Sequence, residues 1–145
     1  MPIIEKSALV QHSAAKMFAL VDDVAAYGEF LPWCGGAQEL SRSADEVRAT
    51  VVIAHSGLNK AFTTENRLQK DKMIEMSLVD GPFKRLHGFW CFDALSETAC
   101  KVSLNLEYEF SNKLVGLALG PVFSQIANTL VDSFCQRAEA LYGSA

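Results

Sequence analysis

The side chains with the chemistry to catalyse a reaction or hold a metal are few and scattered in this chain. His12, His55 and His87 fall on different segments, with no cysteine or carboxylate at ligand spacing from them. Each therefore reads as a surface or hydrogen-bonded histidine rather than a zinc ligand. Cys34, Cys91, Cys100 and Cys135 are dispersed without a C-x-x-C pair, a pattern that suits reduced, mostly buried thiols and neither a disulfide framework nor a zinc site. Glu65 and Arg67 in "TTENRLQ" share a strand face. Such an ion pair, if buried, can pass a proton, but a solvated strand face is the simpler reading. There is no G-x-S-x-G elbow, phosphate-binding loop or dinucleotide fingerprint. The expectation is a protein with no catalytic residue, no metal site and no required cofactor, and so not an enzyme.

What the chain does carry is apolar chemistry in an unusual place. "YGEFLPWCGGAQEL", from Tyr27 to Leu40, opens with three aromatic rings, a proline and a glycine pair, whereas a surface connection usually carries Asp, Asn, Ser and Gly because its backbone needs water. Pro32 stiffens the chain before Trp33, and Gly35 and Gly36 loosen it afterwards. In that setting Phe30, Leu31 and Trp33 either gate an opening or plug the end of a core. A second apolar stretch, "KLVGLALGPVF", contains Gly116, Gly120 and Pro121. Either Pro121 bends an established helix, freeing Leu114, Val115, Leu117 and Leu119 as a lid or a membrane-touching segment, or it marks the first turn of the helix, with a separate helix or loop before it.

The bulk properties set the scale of the fold that positions these segments. The chain has 145 residues, 50% of them hydrophobic and 21% charged. That is one domain, residues 1–145, able to bury roughly 70% of its unfolded surface, and disorder is not expected. No apolar run approaches the ~20 residues of a membrane span, and the N-terminus lacks the basic flank and hydrophobic stretch of a signal peptide. The expected setting is cytoplasmic. Thirteen basic against 17 acidic residues give a net charge of −4, which opposes nonspecific attraction to phosphate and argues against DNA as a partner.

The periodicities give an order of elements. "IIEKSALVQ" alternates as an opening strand; Ser13 caps a helix through "AAKMFALVDDVAAY" that breaks near Asp22 and Asp23. Six alternating segments follow the aromatic loop: "AQELSRS", "EVRATVVIA", "KAFTTENRLQ", "MIEMSLVD", "FKRLHGFWCFDAL" and "CKVSLNLEYEF". In the last, Val102, Leu104, Leu106, Tyr108 and Phe110 share one face and Lys101, Ser103, Asn105, Glu107 and Glu109 the other. Ser111 reads as the cap of a long C-terminal helix with Gln125, Asn128, Asp132, Gln136 and Glu139 on its polar stripe. Leu119, Phe123, Ile126, Leu130, Phe134 and Leu141 lie opposite.

A strand, a helical hairpin, six strands and one long helix predict an α+β helix-grip fold, order βααββββββα. In it a curved antiparallel sheet of about seven strands wraps around the C-terminal helix. That geometry either leaves an apolar cavity between sheet and helix or fills it with side chains. The side chains expected to face such a cavity and hold a lipophilic ligand are Phe30, Leu31, Trp33, Val51, Ile53, Phe62, Met76, Leu78, Phe83, Trp90, Leu104, Leu106, Tyr108, Leu117, Phe123, Ile126 and Leu130.

"DVAAYGEFLPWC", "SLVDGPFKRLHGFWCFDAL", "CKVSLNLEYEFSNKLV" and "SFCQRAEALY" resemble the coenzyme Q-binding START-domain family, and within it the bacterial ribosome-association toxins, in order over nearly the whole chain. Gly28 stands where the family commonly has proline, which leaves that turn looser. The resemblance implies a helix-grip fold and a bound ubiquinone or similar polyisoprenoid lipid. It also implies a carrier role in respiration with peripheral contact at the inner membrane or, as the alternative, association with the large ribosomal subunit that blocks subunit joining. For ribosomal RNA or another partner the candidate surface is Lys60, Arg67, Lys70, Lys72, Lys84 and Arg85, if the fold gathers them; otherwise they are the ordinary charged face of a sheet.

Overall fold

A computed structural model describes residues 3–55 and 57–143. The chain runs β1 (Ile3–Val10), α1 (Ala14–Asp22), a 3-10 helix (Val24–Glu29), β2 (Cys34–Arg42), β3 (Glu46–His55), β4 (Leu58–Gln69), β5 (Met73–Asp80), β6 (Phe83–Ser96), β7 (Ala99–Phe110) and α2 (Lys113–Tyr142). The strands form one antiparallel sheet in the order β1-β7-β6-β5-β4-β3-β2. Register shifts in β2, between β4 and β5 and at both ends of β6 mark bulges, which bend and twist strands and give the sheet the curvature to wrap a helix. This is the helix-grip fold expected from the pattern.

Local chemistry explains the element ends. The Ser13 hydroxyl accepts from the Lys16 amide at 3.1 Å and caps α1. The helical hairpin breaks at Asp23, where the 3-10 helix takes over. The cap of α2 is Asn112 rather than Ser111: Asn112 Oδ1 accepts from the Val115 amide at 2.9 Å, whereas the Ser111 amide donates to the Pro82 carbonyl and so belongs to the end of the sheet. α2 continues unbroken through Pro121, so Pro121 does not mark its first turn. Pro121 and Leu117 both face solvent, where water can satisfy the Leu117 carbonyl left without its helical donor.

Two further expectations change. Gly35 and Gly36 lie inside β2, not in a loose turn. Gly35 is needed because an added Cβ would lie 2.7 Å from the Ala54 Cβ of the neighbouring strand, and the irregular aromatic segment shrinks to 30–33. Leu141 is exposed in the last turn of α2, whose Tyr142 packs against His12 and Lys16 instead of the sheet. There is no charged residue between Lys113 and Asp132, and an 18-residue window of α2 reaches a mean hydropathy of 1.5, long and apolar enough by composition to cross a membrane. The short pure-apolar runs concealed this, because Ser124, Gln125, Asn128 and Thr129 interrupt them without adding charge.

α2 packs on β1 and β7, α1 packs on β6, β7 and α2, and the 3-10 helix covers β2. The main core therefore gathers around α2, with Phe134 fully buried and its ring 5.3 Å from Trp90, 5.4 Å from Tyr27 and 5.3 Å from Phe30, all edge-on. A smaller core of Val24, Val47, Ala49 and Val51 lies under the 3-10 helix. Phe134 joins α2, the sheet and the 30–33 segment at one point. Truncation to alanine, Phe134→Ala, is expected to destabilise the fold by about 3–5 kcal/mol, measured as a lowered urea midpoint with an unchanged slope.

Candidate ligand cavity and basic end

The seam between the two cores is where packing is incomplete. A cavity of about 90 Å³ lies there, lined by Val24, Tyr27, Trp33, Ala49, Val51, Phe62, Thr64, Asn66, Met76, Leu86, Trp90, Leu104, Leu106, Phe123, Ile126, Ala127 and Leu130. Neither α2 on one side nor the 3-10 helix on the other reaches far enough to fill it. Gly88, on the inward face of β6 beside it, has no side chain because an added Cβ would lie 2.8 Å from the Asn105 carbonyl oxygen. The volume is about that of three waters, well below the roughly 300–1,000 Å³ of pockets that bury a drug-sized ligand.

Ten of the expected ligand-facing residues line this cavity: Trp33, Val51, Phe62, Met76, Trp90, Leu104, Leu106, Phe123, Ile126 and Leu130. Seven do not. Phe30 packs on Phe134 with the Arg137 guanidinium 4.9 Å above its ring, and Leu31 and Ile53 are fully buried. Leu78 is half-buried against the core, Phe83 stacks on Phe110, and Tyr108 packs edge-on to Phe123. Leu117 is 72% exposed, because the outward stripe of α2 passes through it. Phe30 and Leu31 thus plug the end of the core. Trp33, with Ile126, lines both the cavity and an outer groove of about 210 Å³ beside Pro32, His55 and Val122, so these two side chains form the wall between interior and surface. Of the proposed lid residues, Leu119 is buried, Leu114 and Leu117 face out, and none of the four lines the cavity.

The pattern analysis missed Val24, Tyr27, Ala49, Thr64, Asn66, Leu86 and Ala127 as lining residues. Thr64 and Asn66 matter most, because they are the polar side chains of β4 that alternate inward with Phe62 and Leu68. That parity was the signal that marks them. Both are only 8% exposed. The Thr64 hydroxyl donates to Asn66 Oδ1 at 2.9 Å, and the Asn66 amide nitrogen makes no hydrogen bond to any described residue. The Tyr27 hydroxyl is occupied, donating to the Val21 carbonyl. Burial, then Asp22, Asp23 and Cys34, push its pKa well up. The site is therefore an apolar chamber with one unused amide donor on its wall.

The groups with potential chemistry stay apart. His12 packs against Tyr142, His55 is exposed, and His87 bonds Glu75 at 2.8 Å on the outer face. No cluster able to hold a metal occurs among the described residues. All four cysteines are free, and burial raises each thiol above its ordinary pKa, which lowers their reactivity. Glu65 does not pair with Arg67. Its cross-strand neighbour is Arg48, with which it forms an ion pair of 3.0 Å, since side chains directly opposite on paired strands meet more readily than those two apart on one strand.

The six basic residues are not gathered. Lys60, Lys84 and Arg85 lie at the end of the sheet that carries the β5–β6 turn, whereas Lys70 and Lys72 flank the β4–β5 turn at the other end, about 30 Å away along β4. Arg67 faces outward between Glu46 and Glu75. The distant end also holds Asp45, Asp71, Asp93 and Glu97 around Lys70, Lys72 and Lys101. The β5–β6 end, where Lys113 begins α2, sets four basic groups against Asp80 and Glu109. Lys84 reaches Glu109 at 3.7 Å.

Residues 10–135 match the family model for polyketide cyclase / dehydrase and lipid transport. The chain belongs to this family. Over 97% of its length and 97% of the relative's, it is 49% identical to the ribosome association toxin RatA of Pseudomonas aeruginosa. A more distant relative, the mitochondrial coenzyme Q-binding protein of Schizosaccharomyces pombe, is 24% identical over 92% of this chain and 84% of its own. The solution structure of an 18 kDa protein from Caulobacter crescentus superposes with a TM-score of 0.76 at 31% identity, covering 99% of this chain and all of that one. Within this family fold the inward polar pair of β4 adds no obvious stability. Thr64→Val, which leaves the Asn66 carbonyl unpaired, is expected to cost about 1–3 kcal/mol, and Thr64→Val with Asn66→Leu to recover most of it. Urea denaturation of wild type and both variants checks this; a double variant no more stable than the single one would make the pair structural.

Proposed function

We propose that this chain associates with the ribosome through its large subunit and blocks subunit joining, acting as a non-enzymatic regulator that needs no cofactor and works in the cytoplasm. The observation that carries the reading is the similarity, nearly end to end, to a ribosome association toxin at 49% identity. The small cavity is consistent with it, because a ribosome-binding protein needs a stable outer surface more than an open interior. Charge favours the β5–β6 end as the side that meets RNA: Lys60, Lys84, Arg85 and Lys113 stand there. The outer face of the sheet, by contrast, sets Glu5, Glu46, Glu65, Glu75 and Glu107 against Arg48, Arg67 and Lys101, with Arg48 ion-paired to Glu65.

A second reading is favoured by one observation, the unused Asn66 donor in an apolar wall. It suits a lipophilic molecule with a carbonyl acceptor, of the class that the fission-yeast relative's name describes, and with it a carrier role for ubiquinone or a related polyisoprenoid lipid in respiration. A ring and tail of that size require Trp33 and Ile126 to part, joining the cavity to the outer groove.

Co-sedimentation with separated ribosomal subunits tests the first reading. Wild type is expected to pellet with large subunits, and a footprint of about three phosphates lowers its affinity roughly 20- to 40-fold between about 50 and 200 mM salt. Lys84→Glu with Arg85→Glu is expected to abolish binding, while Lys70→Glu with Lys72→Glu at the opposite end leaves it in place. Absence of wild-type binding at low salt would refute the reading.

A further inference from the structure

The first turns of α2 expose apolar surface that neither the cavity nor the ribosome reading uses. Leu114 and Leu117 are 79% and 72% exposed, and Ala118 and Pro121 are exposed with them. These positions follow i, i+3, i+4 and i+7 spacing, which places them on one stripe. The stripe belongs to the charge-free part of α2, whose most apolar window is only 28% buried. Its position is fixed: Ser111 is bonded to Pro82 at 3.0 Å, and a Cβ on Gly116 would touch the Phe110 ring at 3.5 Å. The leucines are therefore displayed on a helix whose start is tied to the sheet through Ser111 and Pro82.

What surrounds the stripe identifies the occupant. An open groove of about 540 Å³ beside Leu117 is lined by Lys84, Lys113, Ser111, Asn112 and one carboxylate, Glu109, which lies 3.7 Å from Lys84 on the exposed surface, so the basic groups of this end outnumber the acidic ones without being free of them. Arg85 and Lys60 flank the same end. In a chain of net charge −4, exposed leucines and basic side chains thus share one face. A partner protein's apolar patch would satisfy the leucines and RNA would satisfy the lysines, but a bilayer with anionic headgroups satisfies both, with leucines at the acyl boundary and lysines at the phosphates.

We propose that the end of the molecule formed by the start of α2 and the β5–β6 turn is a docking surface for an anionic bilayer. Leu114 and Leu117 enter the interface, and Lys84 and Lys113 hold lipid phosphates. The surface does not require the cavity to be occupied, but it shares Lys84 and Lys113 with the end proposed above to meet the ribosome, so bilayer and ribosome compete for it. Its contact is peripheral: the opposite face of α2 is committed to the core through Leu119, Phe123 and Phe134, so the helix does not leave the sheet to span the membrane.

Vesicle flotation tests this with the full chain. Wild type is expected to float with phosphatidylcholine vesicles containing about 30% phosphatidylglycerol, to stay behind with pure phosphatidylcholine, and to lose most of its binding when salt rises from about 0.1 to 0.5 M. Leu114→Asp with Leu117→Asp, at positions too exposed to threaten the fold, is expected to weaken vesicle binding by about tenfold or more, and Lys84→Glu with Lys113→Glu to remove the preference for the anionic lipid. Circular dichroism confirms that both variants are folded. If wild type does not float with anionic vesicles, or if the leucine variant floats as well as wild type, the proposal is overturned. It is equally overturned if both variants lose only large-subunit binding, in which case the end serves RNA or ribosomal protein.

Discussion

Everything else in this molecule depends on how one helix is held by one curved sheet. Phe134 is the point of attachment: it is fully buried, and the rings of Trp90 from β6, Tyr27 from the 3-10 helix and Phe30 from the following segment all meet it edge-on. Edge-on rings at about 5 Å are attractive beyond the area they bury, by roughly 0.5–1.5 kcal/mol a pair. They also fix orientation, so α2 is pinned in its C-terminal third. In its N-terminal third Leu119 is buried while Leu114 and Leu117 face away from the protein, and in its last turn Tyr142 packs against His12 and Lys16 while Leu141 is exposed.

The same attachment sets the size of the cavity. α2 sits over β1 and β7 while the 3-10 helix covers β2, and the two meet where Tyr27 packs on Phe134 and Arg137 pairs with Glu29 but leave the space beside that contact unfilled. The gap falls over β3 to β6 and is narrowed by Trp33, Phe62, Met76 and Leu130 rather than closed. Interiors pack to crystal-like density, and a residual chamber of about 90 Å³ lined in part by Thr64 and Asn66 departs from that. At that volume it is smaller than the pockets that bury a drug-sized ligand. Function therefore reads more naturally from the surface, where a basic and apolar end contrasts with an acidic sheet face.

Strands and helices were legible because alternation is a strong signal when one face is dry: the inward residues of β7, Val102 to Tyr108, are buried as their parity requires. The break at Asp23 and the Ser13 cap were legible for the same local reason, that a short side chain or a missing helical bond acts within three residues. The cap of α2 was not, because Ser111 and Asn112 are both good caps and only the tertiary bond from Ser111 to Pro82 decides between them. Much of the cavity wall could be read from parity, but Leu117 and Phe30 could not be excluded, since their directions depend on where α2 is pinned. Thr64 and Asn66 were passed over because polar residues on a strand are ordinarily taken for its wet face. The dispersal of the basic residues was invisible for a different reason: Lys60 and Lys70 are close in sequence, yet an extended strand carries them to opposite ends.

In the function proposed for this chain, the outer end of the grip, and not its cavity, makes the contact with the ribosome. The most direct measurement is large-subunit affinity of a cavity-filled variant. Leu106→Trp places an indole into the chamber from β7, at an overpacking cost of about 1–3 kcal/mol that a domain stable by roughly 5–15 kcal/mol survives. The account predicts that the folded variant binds large subunits within about twofold of wild type, as expected for a change remote from the contact surface. A folded Leu106→Trp protein that no longer binds the subunit would contradict it, and would make the cavity and whatever fills it the controlling element.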